Sequence, residues 1–421
     1  MTTPKFRRVP PEAVEPIGRL ALDEATLERA AEIVCDVRER GEPSLREHAE
    51  QLGDVQSGEP LVYGREALQD TLAAAPAEVR GLLERTAERI RTFAQAQRRS
   101  LNDLSTDVPG GQAGHTVAPV QVAGCYAPGG RFPLPSSVLM TAVTARVAGV
   151  ETVVVASPKP SSVTLTAAGA AGADMLLAVG GAQAVAALAY GVGPVPACDV
   201  VVGPGNRWVT AGKQIVAGTV AIDMLAGPSE LVVLADAAAC PKLIAADLLA
   251  QAEHDPDALP VLVTMDEELI VRVEAELTRQ LEDLPTAAIA RVALQRGFAT
   301  LATSEAEAVA VCDRMAPEHL ALHVERPERF MPRLKHYGAL FVSGRSAEVF
   351  GDYGVGPNHV LPTGGTARAF GGLSVFTFLR VRTWLQMGDE ASLGGIIQDA
   401  AELARLEGLE AHARSAERRR R

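Results

Sequence analysis

Short apolar runs alternate with segments of helical pattern in residues 152–202, which read TVVVASPKPSSVTLTAAGAAGADMLLAVGGAQAVAALAYGVGPVPACDVVV. The runs expected to form strands are Thr152–Ala156, Met175–Ala178 and Asp199–Val202. The segments between them, near Val163–Ala171 and Ala182–Tyr190, have the length and the small residues of buried helices. Alternation of strand and helix is typical of a parallel sheet with helices on its faces. This stretch therefore predicts an α/β fold.

The same alternation continues on both sides of this stretch. Upstream, we expect a strand over Val120–Ala123 and a helix near Ser137–Ala148. Downstream, a second series has expected strands at Glu230–Ala235, Pro260–Thr264, Arg291–Ala299 and Gly338–Val342. The expected helices between them are Pro241–Gln251, Glu267–Leu281 and Ser304–Met315. The sequence thus predicts two α/β units, flanked by helical segments at residues 12–100 and 390–418 and without the short internal repeat of a solenoid.

The composition excludes several classes of protein. A chain of 421 residues is long enough for two or more domains. Its 52 acidic and 40 basic residues leave a net charge of −12, which argues against general nucleic-acid binding because that function needs a basic surface. Five cysteines without a CxxC motif argue against a disulfide framework and against a zinc finger.

Neither a secretory signal nor a membrane span is expected. The first residues, MTTPKFRRVPPEAV, lack the apolar core that a secretory signal needs. The uncharged stretch Met175–Cys198 is long enough to cross a bilayer, but Gly180, Gly181 and Pro194 interrupt it. A buried strand followed by a helix explains it better. We therefore expect a cytoplasmic protein that does not contact membranes.

Four glycine-rich turns stand out, but none carries a nucleotide-binding fingerprint. They are PGGRFP (128–133), GGAQ (180–183), GPGNRW (203–208) and GDYGVGPNH (351–359). The pattern GxGxxG is absent from them, and the chain has no GxxxxGK[ST] motif, so a P-loop NTPase is excluded. On glycine content alone, ordinary turn chemistry explains each of them.

Four histidines have a carboxylate or amide neighbour in the sequence: His254 with Gln251, His319 with Glu318, His359 with Asp352 and His412 with Glu407. Nitrogen and oxygen ligands without a thiolate suit zinc or manganese. A candidate ligand set of this kind is Gln251, His254, Asp352 and His412. Nothing local brings these four together, and each histidine taken alone is better explained as a hydrogen-bonded structural residue.

Eight segments resemble, in the same order, those of the histidinol dehydrogenase family. They are YAPGGRFPLPSSVLM, GGAQAVAALAYG, VVGPGNRWV, IDMLAGPSELVVLAD, DLLAQAEHD, APEHL, GDYGVGPNHVLPT and EGLEAHA. The resemblance extends from about residue 20 to the C-terminus. It implies a zinc-dependent enzyme of histidine biosynthesis that oxidises L-histidinol to L-histidine with NAD. The four-electron reaction would pass through L-histidinaldehyde, which stays in the site.

The resemblance also implies a role for each candidate residue. The zinc ligands would be Gln251, His254, Asp352 and His412, and the substrate would lie against them and against Ser229, His319 and Glu407. His319 would be the general base that takes the hydroxyl proton, since a neutral imidazole suits that role. Glu318 would activate the water that attacks the aldehyde. His359 is expected just behind the ligands, and NAD near Tyr126, Gln183 and Asn206.

The fold implied for this family is two incomplete Rossmann-like parallel-sheet units with a helical N-terminal arm and a small C-terminal helical domain. The expected domains are an arm at 1–20, a first α/β domain at 21–119 and 232–372, an inserted cofactor-side α/β domain at 120–231, and a C-terminal domain at 373–421. The family also implies a homodimer in which Glu407 and His412 serve the neighbour's site. On one straight helix these two residues would point about 140° apart, which favours separate roles for them.

Three alternatives remain open from the sequence. A related dehydrogenase of the same fold could act on another small polar alcohol, such as a sulfonated diol, although Glu407 would then have no imidazole to bind. A zinc hydrolase or a non-catalytic metal-binding protein would use similar ligands. Aldehyde oxidation could also proceed through a thiohemiacetal, but Cys125 and Cys198 have no basic neighbour in sequence and are better explained as core residues. Ser136 and Ser137 are expected to cap a helix.

Overall fold

The computed structural model describes residues 5–18, 22–129, 133–388 and 390–419. The strands are β1 (Arg7–Arg8), β2 (Val62–Gly64), β3 (Leu104–Val108), β4 (Gly111–Pro119), β5 (Val122–Tyr126), β6 (Thr152–Ala156), β7 (Met175–Leu177), β8 (Val200–Val202), β9 (Ala221–Ile222), β10 (Glu230–Ala235), β11 (Leu259–Thr264), β12 (Phe298–Leu301), β13 (His319–His323), β14 (Ala339–Val342) and β15 (Leu379–Met387).

The α-helices are α1 (Glu24–Arg40), α2 (Glu42–Gln51), α3 (Arg65–Ala74), α4 (Ala77–Arg99), α5 (Pro135–Ala148), α6 (Ser162–Ala171), α7 (Gly181–Tyr190), α8 (Arg207–Val216), α9 (Pro241–Ala252), α10 (Glu267–Gln280), α11 (Ala287–Arg296), α12 (Glu305–Met315), α13 (Glu348–Asp352), α14 (Glu390–Leu406) and α15 (Glu410–Glu417). Among the described helices, none combines the length and the apolar character needed to cross a bilayer.

The first six-stranded sheet, called sheet one, has the strand order β2-β7-β6-β5-β8-β9. Its strands pair in parallel except for β2, which joins the edge antiparallel to β7. The side chains of β6 from Val153 to Ala156 are fully buried. Burial on both faces explains why these strands are continuous apolar runs, and why the sequence located them to within a few residues.

The second sheet, called sheet two, is parallel throughout, with the order β1-β12-β11-β10-β13-β14. One expectation about it was wrong, and one of its strands was missed. The strand expected over Arg291–Ala299 is the helix α11 as far as Arg296, and the strand β12 follows it. The strand β13, with sequence HLALH, was not expected at all, although it lies in the sheet between β10 and β14.

The N-terminal helices pack against sheet one. Helix α1 contacts α7 and α8, and α4 lies across α5. Ile33, Val34 and Val37 of α1 are buried in the same apolar core as β5 and β6. Strand β2, between α2 and α3, completes the edge of sheet one, and Arg89 of α4 donates to the carbonyl oxygen of Gly354 at 2.8 Å. The grouping of residues 21–119 with residues 232–372 stays a prediction.

A third sheet of three antiparallel strands, β15-β4-β3, joins the C-terminal segment to the rest of the chain. Strand β15 pairs with β4 from Leu379 opposite Pro119 to Met387 opposite Gly111. This strand was not predicted, since only helices were expected after residue 372. Helices α14 and α15 follow and pack on each other around Ala401, Ala404 and Ala413. The predicted fold class, two parallel-sheet units with a small C-terminal helical part, is confirmed.

Candidate active site

The predicted site residues gather at opposite edges of the two sheets. Tyr126 is the last residue of β5, which places the predicted cofactor residues at the carboxyl edge of sheet one, where α/β sheets bind ligands. His319 is the first residue of β13 and therefore lies at the amino edge of sheet two. The C-terminal end of α9, which carries Gln251, lies at this same edge. The two edges meet where Oγ of Ser137 lies 3.2 Å from Nε2 of His359.

Three side chains form a candidate metal cluster, namely His254, Glu348 and Asp352. One ligand atom from each lies within 4.8 Å of the other two. The His254 Nε2 atom is 3.9 Å from Asp352 Oδ2. His254 lies just beyond the end of α9, with its backbone N–H donated to the carbonyl of Gln251 at 3.4 Å. The chain thus brings together two of the four predicted ligands, His254 and Asp352, and it adds Glu348, which was not predicted.

Buried polar atoms without partners surround this cluster. Among the described residues, no hydrogen bond reaches either amide atom of Gln251, either carboxylate oxygen of Glu348, or Oδ2 of Asp352. Gln251 is fully buried and Glu348 is nearly so. Because buried polar groups in native proteins are almost always paired, these atoms indicate a bound ligand. The imidazole and carboxylate groups of the cluster, with the unpaired amide of Gln251 at the end of α9, are donors that fit a zinc ion.

His319 lies beside this cluster and is oriented by the backbone. Its Nδ1 atom is 3.1 Å from the carbonyl oxygen of Glu230. A carbonyl can only accept, so Nδ1 carries the hydrogen and Nε2 has a free lone pair. Nε2 lies 3.9 Å from Oδ1 of Asp352. Burial lowers the pKa of His319 to about 4, so its imidazole is neutral at working pH.

Glu318 and Glu348 are buried acids near the Nδ1 atom of His319. Their carboxylate oxygens lie 3.6 Å and 3.8 Å from the Nδ1 atom of His319. Burial, reinforced by neighbouring carboxylates, raises the pKa of both groups well above the usual range. Burial also raises the pKa of Glu230 to about 7. Strong perturbation of several neighbouring acids is typical of a functional site.

His359 lies next to Asp352. Its Nδ1 atom is 2.9 Å from the backbone carbonyl oxygen of Asp352, and its Nε2 atom contacts Ser137. Ser137 was expected to cap α5, but that helix begins without a side-chain cap, so the expectation was wrong. The Ser137 hydroxyl instead lies between the cofactor side and the metal side of the site. Ser229 is half-buried and immediately precedes Glu230.

Glu407 and His412 lie away from this cluster within one chain. Both are exposed, and they are not on one helix, because α14 ends at Leu406 and α15 begins at Glu410. Within the described part of the chain, no hydrogen bond or ion pair joins either side chain to the cluster, and His412 lines a shallow pocket with Ser415 and Arg419. The chain therefore does not bring its own Glu407 and His412 to its own cluster.

The three predicted cofactor residues, Tyr126, Gln183 and Asn206, line one cleft of about 370 Å³. The Tyr126 hydroxyl accepts a hydrogen bond from the Gly181 N–H at 3.3 Å. Asn206 caps α8 by accepting from the backbone N–H groups of the two residues that follow Arg207. The PGGRFP turn contributes Gly129 to the cleft, and its residues 130–132 lie outside the described residues.

The cysteine chemistry left open by the sequence has no support in the structure. Cys125 and Cys198 are both buried. Burial raises the pKa of Cys125 to about 12 and also raises the pKa of Cys198. A thiol that stays protonated is a poor nucleophile, so neither residue is suited to form a thiohemiacetal.

Two acids of this site, Glu230 and Glu348, were not selected from the sequence. Glu230 does lie within the segment IDMLAGPSELVVLAD, but as the first residue of an apolar strand it gave no sign of facing a site. Glu348 precedes the GDYGVGPNH turn and has no histidine beside it. An acid at the start of a buried strand was the one signal that could have drawn attention to Glu230, because charged residues are rarely buried without a partner.

Comparison with known proteins shows the family of this chain. The histidinol dehydrogenase family model matches residues 19–420. Histidinol dehydrogenase from Thermus thermophilus is 46% identical over 95% of this chain and 96% of its own length. The Haloarcula marismortui histidinol dehydrogenase is 44% identical, with 94% of each chain covered. The crystal structure of histidinol dehydrogenase from Elizabethkingia anophelis superposes with a TM-score of 0.91 at 29% identity, covering 98% of this chain and 97% of that one. The chain therefore belongs to the histidinol dehydrogenase family.

Proposed function

We propose that this protein oxidises L-histidinol to L-histidine through L-histidinaldehyde, in two steps that each reduce one NAD, at the end of histidine biosynthesis in the cytoplasm. One observation carries the proposal. In a chain of this family, His319 of the Glu318–His319 pair lies beside Asp352, which clusters with His254 and Glu348. Buried polar atoms of Gln251, Glu348 and Asp352 have no hydrogen-bond partner in the described residues.

The metal side of the site would hold one zinc ion through Gln251, His254 and Asp352, with His412 of a second copy as the fourth ligand. Zinc there would bind the amino and imidazole nitrogens of histidinol and stabilise negative charge on its oxygen. Two neutral imidazoles, one amide and one carboxylate leave the ion a net charge of +1. Glu407 of the second copy would accept a hydrogen bond from the substrate imidazole, and Ser229 would line the substrate.

The acid–base work falls to two neighbouring side chains. His319 would take the hydroxyl proton in the first oxidation through its free Nε2 lone pair, since Nδ1–H is bonded to the Glu230 carbonyl. In the second step, Glu318 would take a proton from the water that attacks the aldehyde. Burial raises the pKa of Glu318, which makes its carboxylate a stronger base than an exposed one.

The cofactor would bind in the cleft of Tyr126, Gln183 and Asn206, where NAD would accept a hydride in each step. These residues lie at the carboxyl edge of sheet one, the usual place for a nucleotide in an α/β sheet. Ser137 and His359 would then mark the boundary between the cofactor and the metal.

A homodimer with shared sites is the fourth part of the proposal. Glu407 and His412 are exposed and have no contact with their own chain's cluster in the described residues, so a partner is needed for both to act. The C-terminal segment also exposes large apolar side chains, including Leu385 at 66% and Leu406 at 85% exposure. Exposed apolar residues of this size are typical of surfaces that become covered in an assembly.

The direct test supplies the zinc-loaded protein with histidinol and NAD. The expected result is two NADH formed for each histidine, because an alcohol loses four electrons on becoming a carboxylate. Absence of NADH would contradict the proposal and favour a hydrolase or a binding protein. Faster turnover of a sulfonated diol than of histidinol would instead favour a related dehydrogenase of the same fold.

A further inference from the structure

All four polar groups of Glu230 form hydrogen bonds with the catalytic pair or with a neighbouring residue. These groups are its N–H, its carbonyl and its two carboxylate oxygens. Its N–H donates to Oε2 of Glu318 at 3.0 Å, and its carbonyl accepts from Nδ1 of His319 at 3.1 Å. Its own carboxylate accepts the Glu318 N–H at 3.3 Å through Oε2 and the Gly364 N–H at 2.7 Å through Oε1. The residue is 4% exposed.

We propose that Glu230 is the positioning residue of this active site and holds both Glu318 and His319 in their working orientations. The inference rests on the proposed function, because it concerns residues assigned to that reaction. Glu230 would act through the pair and not touch the substrate itself.

The position of Glu230 at the edge of sheet two explains this arrangement. The β10–β13 ladder begins with Leu231 opposite His319, so it does not extend to Glu230 and Glu318. Their N–H groups are buried there and need other acceptors. The Glu230 carboxylate accepts the Glu318 N–H, and the Glu318 carboxylate accepts the Glu230 N–H. This reciprocal pair extends the pairing of β10 with β13 by one residue. The Glu318 carboxylate is therefore fixed to the rigid end of a core strand, which is the kind of support that a catalytic group needs.

Both carboxylate oxygens of Glu230 are required as acceptors. In a Glu230→Gln variant one of the two would become an NH₂ group, which cannot accept from Gly364 or from Glu318. The remaining oxygen could serve only one of these donors. The reciprocal pair would loosen, and the Glu318 carboxylate would lose its fixed direction while the metal ligands stay untouched.

A double-mutant cycle tests whether Glu230 acts through Glu318. The rate of histidinaldehyde oxidation is measured for the wild type, Glu230→Gln, Glu318→Gln and the double variant, together with zinc content and the KM for histidinol. We expect Glu230→Gln to lower kcat at least about tenfold in the wild-type background and less than twofold in the Glu318→Gln background, since coupled residues are not additive. Zinc content and the KM for histidinol are expected to stay close to wild-type values.

Glu274 of helix α10 provides a matched control beside the same sheet. It is also a buried glutamate that accepts a backbone N–H, that of Phe6 at 2.8 Å, but it lies at the edge of sheet two formed by β1. Glu274→Gln is expected to keep the wild-type rates. Equal fold losses from Glu230→Gln in both backgrounds, or rates like those of the control, would overturn the inference.

A second variant covers the case in which Glu230→Gln does not fold. Glu230→Asp keeps both acceptor oxygens and the charge but shortens their reach, so the same loss of kcat without loss of zinc is expected, in smaller measure. Wild-type activity in this variant would contradict the inference. Failure of the wild type to reduce NAD with histidinol would contradict the proposed function instead, so the two outcomes are distinct.

Discussion

The Nε2 atom of His319 lies 3.9 Å from Oδ1 of Asp352, so the predicted general base and a predicted metal ligand share one buried space. Nε2 has no hydrogen-bond partner among the described residues, and Nδ1 is committed to the Glu230 carbonyl. A hydroxyl group held at this point would meet an imidazole that is already in the tautomer needed to accept its proton. The first three predictions test this arrangement and the residues around it.

Replacing His319 by asparagine is expected to slow the first oxidation by about 10²–10⁴-fold, the usual cost of losing a general base. Zinc content should be unchanged, because His319 is outside the predicted ligand set. Pre-steady-state NADH formation and metal analysis of the same preparation check both points. A variant that loses zinc together with its activity would show that His319 belongs to the metal site.

Replacing Glu318 by glutamine is expected to slow oxidation of the aldehyde more than oxidation of the alcohol. The amide cannot take a proton from the attacking water, whereas the first hydride transfer depends on His319. The two half-reactions are measured separately, with histidinol and with histidinaldehyde as substrates. A variant that oxidises the aldehyde at the wild-type rate would exclude the water-activating role.

Subunit mixing tests whether His412 serves the partner's metal. His254→Ala and His412→Ala are each expected to lack activity as homodimers. In the mixed dimer one site carries both substitutions and the other carries none, so about half of the wild-type activity is expected. Co-expression with two different affinity tags isolates the mixed dimer. If His412 served its own chain, every site would be damaged, and the mixed dimer would stay inactive.

A buried ion pair supports the cofactor cleft. Lys213 and Asp223 form an ion pair, and each also binds the backbone of Gly203. The Gly203 N–H donates to Asp223 at 2.7 Å, and the Gly203 carbonyl accepts from Lys213 at 3.1 Å. Gly203 has a φ of 114°, and a Cβ there would lie 2.0 Å from the carbonyl oxygen of Tyr126. The pair therefore fixes the turn that leads to Asn206.

Removing one partner of this pair leaves a buried charge, so Lys213→Met is expected to destabilise the protein by about 3–5 kcal/mol. The double variant Lys213→Met/Asp223→Asn should recover much of that stability but not the affinity for NAD. Urea unfolding and calorimetric titration with NAD separate the two effects. Wild-type affinity for NAD in the double variant would show that the turn does not depend on the pair.

The low pKa of His319 predicts a pH dependence of stability in the zinc-free protein. The unfolded chain takes up a proton near the ordinary histidine pKa of 6.5, while the native ring stays neutral down to about pH 4. Native stability should therefore fall as the pH is lowered from 6.5 to 4, by about 3 kcal/mol at pH 4 relative to a His319→Gln variant. If the wild type and the His319→Gln variant gave parallel curves of unfolding free energy against pH, the low pKa assigned to His319 would be contradicted.

Prediction from the sequence succeeded for strands whose burial produces a continuous apolar run in the sequence. Strands such as Thr152–Ala156 and Glu230–Ala235 are covered on both faces, and their apolar runs gave the bounds that the structure has. Strand β13 was missed because a histidine at each of its ends shortens the apolar run. These histidines are buried in the folded protein because groups from other segments pack beside them. Strand β15 was missed because most of its residues are exposed and polar residues interrupt its apolar ones.

By itself, the sequence determined the fold class and the chemical types at the site, since the apolar period and the amide, imidazole and carboxylate groups are properties of the residues. Only the tertiary structure decided which of these groups meet. It joined His254 to Asp352, brought Glu230 and Glu348 to His319, and kept Glu407 and His412 away from their own chain's cluster. The physical reason is that such meetings depend on which helix faces and sheet edges pack together. That packing is fixed by contacts between distant segments, and the spacing of apolar residues within one segment does not show it.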